Sequence, residues 1–275
     1  MRIGRIELPP GAFENPGGRL EGARRRGIGA SRSNWREVPV ISFLIRHPSA
    51  GPLLVDTGLH TSVVARPQEN LGGRLARFAR PKLEPSETLP AQLRERGIDV
   101  RDLRLVVLTH MHFDRVSALA ELPNATFVVS EAEWSAATAD SGARGSEYHA
   151  PTYNYAFDYR TVSYSGENIS SYSSFGRSFD LFGDGSVRLA ATPGHSLGHQ
   201  AVICRLADRD LVIAGDAIYS RSQLEDGAPP PPAADAHTYR RSLQELRLFA
   251  RQYPQAEIIP GKDMADFERL AARYE

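Results

Sequence analysis

The chain has one cysteine in 275 residues, Cys204, so it has no partner for an internal disulfide and cannot build a thiolate zinc cluster. Its setting in the apolar run AVICRL makes it a buried strand thiol. Long apolar runs are missing too. No stretch reaches the roughly 18 residues that a membrane helix needs, and the opening MRIGRIELPPGAFENPGG lacks the apolar core of a signal peptide. A cytoplasmic protein is expected. Net charge is also absent: Lys plus Arg and Asp plus Glu number 33 each. No long-range field therefore draws nucleic acid or an anionic membrane, and the expected partner is a small molecule. There is no internal repeat, and no linker rich in Pro, Gly or Ser separates two domains. One domain over residues 1–275 is expected, and a homodimer is left open.

What is present is a core. Apolar residues make up 41% and charged residues 24%, as in ordinary globular chains. Short runs rich in Val, Ile and Leu recur at 38–47, 51–58, 103–110, 125–130, 186–194, 200–206, 210–216 and 256–261. They are too short for helices and are bounded by turn residues, so they predict strands. Helices are expected between them at 86–97, 114–122, 130–140, 235–253 and 263–273. Asp235 is a good N-cap, and Leu243, Leu246 and Phe249 follow it at helical spacing. The run Pro229 to Pro232 predicts an extended loop before that helix. Strands alternating with helices predict a layered α/β domain. Residues 143–182 differ, holding six of the ten Tyr and four Phe with no clean helix or strand pattern. They predict an aromatic-rich ordered insertion that lines a pocket, packs on a partner chain or packs on itself.

The chemistry gathers where the strand LRLVVLT runs into His110-Met111-His112-Phe113-Asp114-Arg115. Two imidazoles two residues apart at a strand exit can face one ion, although such a pair alone is weak evidence. Thr192-Pro193-Gly194-His195 supplies a third imidazole in a tight turn, and Gly215-Asp216 supplies a carboxylate after another strand. Three imidazoles, a carboxylate and an open position suit a catalytic zinc. Iron and manganese accept the same donors.

In this order the motifs resemble the metallo-β-lactamase superfamily, whose pattern is Asp-Thr-Gly, HxHxDH, Pro-Gly-His, Gly-Asp and a final His. Here they stand as Asp56-Thr57-Gly58, the His110–Arg115 run, Pro193-Gly194-His195, Gly215-Asp216 and Pro260-Gly261-Lys262-Asp263. The resemblance implies a four-layer αββα sandwich. Within that superfamily LTHMHFDRVSALAELPNATFVVSEAE, FDLFGDGSVRLAATPGHSLGHQ and AGDAIY look like the core of N-acyl-homoserine lactonases. By that likeness one metal takes His110, His112 and His195, Asp216 bridges to a second ion, and Tyr219 contacts the substrate carbonyl.

The pattern breaks at two positions, both of them ligands of the second ion. Arg115 and Lys262 stand where the family has His. Arg stays protonated and Lys ligates only when deprotonated. A guanidinium and an ammonium would supply the charge of a divalent ion and hold Asp114 and Asp216 ionised, with Arg115 able to bond bidentately. The expectation is one zinc ion and a hydrolase of a small ester or lactone. Asp114 would orient or deprotonate water, and Arg115 and Lys262 would stabilise an oxyanion or hold a substrate anion. Two alternatives stay open: a repurposed lyase, cyclase or isomerase, and a non-catalytic small-molecule binder. Asp56-Thr57-Gly58 is expected to brace the site, and His199 to hydrogen-bond near it. His47, His60, His149 and His237 have no ligand-like context.

Overall fold

The computed structural model describes residues 1–14, 21–139, 148–154, 158–225 and 231–275. Pro229 and Pro230 of the expected loop, and residues 143–147 and 155–157 of the aromatic-rich segment, lie outside them. The chain forms two compact units, one of Met1–Glu7 with Val38–Val162 and one of Leu8–Glu37 with Ser163–Glu275. Strands β1 (Arg2–Leu8) and β2 (Arg36–Ile41) pair as a two-stranded sheet.

In the first unit β3 (Phe43–His47), β4 (Gly51–Val55), β5 (Leu105–Val107), β6 (Thr126–Ser130) and β7 (Asp158–Val162) form a sheet in that order. The β3–β4 pair is antiparallel and the remaining pairs are parallel. Leu53, Leu54, Val106, Val107, Phe127 and Val128 are buried in consecutive pairs, as expected where parallel strands are covered on both faces. The C-terminal ends of β4 and β5 lie side by side. Val55 is in register with Val107, and the Asp56 N–H donates to the Val107 carbonyl at 2.9 Å. In parallel sheets that end is where ligands are bound.

The second unit holds a six-stranded sheet. Its strands in chain order are β8 (Ile169–Tyr172), β9 (Phe175–Asp180), β10 (Val187–Ala191), β11 (Gln200–Arg205), β12 (Asp210–Gly215) and β13 (Glu257–Pro260). They lie in the order β13-β12-β11-β10-β9-β8, and only β12–β13 is parallel. The helix Ala236–Gln252 covers this sheet with Tyr239, Leu243, Leu246 and Phe249, which join Phe175, Ile203, Val212 and Ile258 in one core. Asp235 caps it, accepting the His237 and Thr238 N–H groups.

Three expectations shift. The run 38–47 is two strands, β2 and β3, because the chain turns at Ser42, whose hydroxyl donates to the Asp56 carbonyl at 2.8 Å. The expected helix 114–122 is only Phe113–Val116 followed by a 3-10 turn at Leu119–Glu121. Its ladder is intercepted by the Asp-Thr-Gly turn: the Thr57 N–H takes the Arg115 carbonyl, and the Ala118 N–H goes to the Gly58 carbonyl. The helix Pro67–Ala79 had no sequence signature because Gly72 sits inside it at φ 68°, outside helical geometry. The aromatic-rich segment supplies β7, β8 and β9, so its described part is largely strand.

Candidate metal centre

In the first unit the loop after β5 carries Thr109, His110, Met111 and His112, all buried. Asp56 organises it. Its two carboxylate oxygens accept the Thr109 N–H and hydroxyl, each at 2.8 Å. Since that hydroxyl proton goes to Asp56, Thr109 Oγ1, 3.1 Å from His110 Nδ1, accepts the ring proton there. His110 is thereby fixed as the tautomer whose Nε2 carries the lone pair, the form a metal requires. The His110 and His112 rings stand nearly perpendicular with centroids 4.6 Å apart. A ligand nitrogen of each lies within 4.8 Å of the other. Asp56 itself adopts a left-handed backbone at φ 58°, a conformation that short polar side chains tolerate better than most.

The same loop turns into the short helix that carries Asp114 and Arg115, with 0% and 1% exposure. Arg115 Nε lies 3.5 Å from Asp114 Oδ2, and its Nη1 lies 3.9 Å from Asp56 Oδ2. Arg115 thus meets Asp114, as expected, and also Asp56. The guanidinium spans two buried carboxylates, because Thr57 fixes the Arg115 backbone beside Asp56 through its N–H and hydroxyl. Burial lifts the Asp56 carboxyl to about 7, against the lowering pull of Arg115 and of the Thr109 bonds.

The second unit carries the other motif residues. His195 follows β10 in a turn whose Gly194 has φ +130°. A Cβ there would stand 2.3 Å from the Tyr239 backbone, so the first turns of the Ala236–Gln252 helix demand glycine. Asp216 follows β12 and Lys262 follows β13. Because Gly215 pairs with Pro260 across these parallel strands, the two side chains meet with Lys262 Nζ 3.3 Å from Asp216 Oδ2. His195 Nε2 lies 3.3 Å from the same oxygen. Gly261 is equally constrained: a Cβ on it would come within 2.5 Å of Asp216 Oδ1.

His199 acts as the sequence suggested, through hydrogen bonds. Its Nε2 accepts the Asp216 N–H at 3.0 Å, so its Nδ1 is protonated and donates to Thr192 Oγ1 at 2.8 Å. That pins the Asp216 backbone to the turn leading to His195. Tyr219 sits edge-on to His195, with centroids 5.8 Å apart, and beside Phe13 at 6.0 Å. Gln223 Oε1 accepts the Tyr219 and Ser220 N–H groups and so shapes that turn. Sequence reasoning gave no role to Gln223, to Glu133 at the end of the lactonase-like run from Leu108, or to Tyr148 of the aromatic-rich segment, because only long-range contacts reveal what they do.

His110 presents an imidazole whose Nε2 can ligate, and Arg115 and Lys262 are buried cations, each paired with a carboxylate of its own unit.

The sequence model of the Metallo-beta-lactamase superfamily matches residues 35–262. N-acyl homoserine lactonase AttM of Agrobacterium fabrum (strain C58) is 31% identical over 243 residues, covering 86% of this chain and 88% of the relative. An N-acyl homoserine lactonase of Bacillus cereus is 28% identical over 202 residues, covering 71% and 70%. A solved N-acyl homoserine lactone hydrolase, with N-hexanoyl-L-homoserine at its catalytic metal centre, superposes with a TM-score of 0.76. It is 21% identical and covers 98% of this chain and 94% of that one. The α/β fold expected from the motifs is the fold these proteins share, and the chain belongs to the metallo-β-lactamase superfamily.

Proposed function

We propose that this protein is a lactonase-like metallo-hydrolase that opens a small lactone or ester using one metal ion. His110, His112 and His195 would hold the ion, with Asp216 as a fourth or neighbouring ligand and zinc as the first candidate. Curated relatives over most of the chain's length are named N-acyl homoserine lactonases, which supports the substrate class. When bound, such an ion acidifies water toward a pKa of about 7 and polarises a carbonyl.

The chain's own residues divide the remaining work. Asp114, held as a carboxylate by Arg115, orients water and accepts its proton. Tyr219 donates to the carbonyl or leaving oxygen. Lys262, paired with Asp216, offers an ammonium to the oxyanion or to an anionic substrate group. Arg115 is committed to Asp56 and Asp114, which gives it the role of balancing charge.

One observation carries the single-ion reading: Arg115 and Lys262, at the two positions that the motif resemblance assigns to His, each lie against a buried acid. The test is metal analysis of freshly purified protein together with lactone hydrolysis followed by product mass. One ion per chain and a product heavier by one water support the reading. A protein without metal that gains no ester hydrolysis on adding zinc would sink it. A product of unchanged mass would favour an isomerase or cyclase.

A further inference from the structure

Glu133 is a fully buried carboxylate lying directly behind the loop that carries His110 and His112. It sits in the first turn of the helix Glu131–Thr138, whose N-cap is Ser130 at the end of β6. Its Oε1 accepts the Met111 N–H at 2.8 Å and the Tyr148 hydroxyl at 3.0 Å. Met111 is the residue between the two imidazoles. Tyr148 in turn lies against one of them. Its ring centroid is 5.0 Å from that of His112, tilted by 60°, and the two backbones form an isolated antiparallel bridge.

A buried carboxylate is costly unless hydrogen bonds and a favourable field offset the lost hydration. Here two donors and a helix N-terminus do so, and the two donors tie the carboxylate to the His110–His112 loop, Met111 directly and Tyr148 through its bridge to His112. The His112 ring packs against both Tyr148, at 5.0 Å, and His110, nearly perpendicular at 4.6 Å. Turning His112 away would require moving Tyr148, which Glu133 holds by its hydroxyl. Sliding the loop would require breaking the bond from Met111 to the same oxygen.

We propose that Glu133 and Tyr148 are positioning residues that set the direction in which His112 presents its ring nitrogen, and through it the affinity for the metal. This rests on the proposed His110, His112 and His195 site. It also gives the aromatic-rich segment a task at the site, through its residue Tyr148.

The test uses the full chain and two variants, Glu133→Gln, which keeps the shape and removes the charge, and Tyr148→Phe, which removes only the hydroxyl. Dissociation constants for Zn2+ and Co2+ are measured by chelator competition, and the visible spectrum of the Co2+ form is recorded. Each variant is expected to bind more weakly than the wild type, by up to about the 10–100-fold seen when groups orienting a liganding histidine are lost. Its Co2+ bands are expected to shift. Wild-type affinity and spectrum in both variants would overturn the proposal, even if urea denaturation showed lower stability, since a purely structural role predicts that result. Should Glu133→Gln fail to fold, Tyr148→Phe decides by the same criteria. A wild type that binds neither ion overturns the function reading and this inference together. A wild type that binds, with unaffected variants, overturns this inference alone.

Discussion

Lys262 Nζ stands 3.3 Å from Asp216 Oδ2, with both side chains almost wholly out of solvent. The contact follows from strand register, since parallel β12 and β13 end together and release Asp216 and Lys262 on adjacent turns. Arg115 does the same for Asp114 in the other unit. In each unit a buried cation meets the acid beside it.

Replacing both cations should admit a second ion. The double variant Arg115→His, Lys262→His exchanges two fixed charges for neutral imidazoles that can ligate. On the proposed single-ion reading, metal content by mass spectrometry is expected to rise from one ion per chain toward two. An unchanged ratio would show that these side chains are not what excludes a second ion.

Removing Arg115 without replacing it should be expensive. Arg115→Met leaves Asp56 and Asp114 as buried carboxylates without their cation, a loss of about 3–5 kcal/mol in urea denaturation. The pH dependence has a definite sign. Burial already raises Asp56 to about 7, and losing the lowering influence of Arg115 raises it further. A proton can stand in for the cation at low pH, so the deficit shrinks toward pH 5 and grows above pH 7. A deficit independent of pH would argue against the shared pair.

Two glycines are set by tertiary contacts. Gly194→Ala would drive a Cβ into the Tyr239 backbone at φ +130°, with an expected loss of more than about 4 kcal/mol. Gly261→Ala would place a Cβ 2.5 Å from both Asp216 Oδ1 and the Gly215 carbonyl oxygen, so both activity and melting temperature should fall. Calorimetry beside a lactone assay separates the two effects.

Tyr219→Phe removes one donor from the presumed carbonyl position while keeping the ring that packs on His195 and Phe13. The expected loss is about 10²–10³-fold in kcat with KM little changed. A change confined to KM would assign Tyr219 to substrate binding alone.

Cys204 should be inert in the folded protein. Burial in β11, with a smaller contribution from Asp210, pushes its thiol up to about 12. At pH 8 its thiolate is rarer than that of a free cysteine by about three orders of magnitude. Reaction with an aromatic disulfide reagent is expected only after unfolding. Rapid labelling of native protein would contradict its buried placement.

Much of this protein is legible along the chain. The motif order, the His110, His112 and His195 donors, the cations at 115 and 262, and the strands that present them are local facts. They follow from residue chemistry and from short apolar runs between turn residues. Asp235 and the spacing of Leu243, Leu246 and Phe249 likewise announce their helix. What the tertiary structure decided is pairing at long sequence separation. Arg115 reaches Asp56 because the Asp-Thr-Gly turn takes over the hydrogen bonds that would have continued its helix. Glu133 reaches the His110–His112 loop because β6 runs parallel to β5 and ends beside it, and Tyr148 reaches it through a bridge to His112. Such contacts depend on which strand ends are neighbours, and sheet order is fixed by packing over the whole unit, which no local pattern encodes.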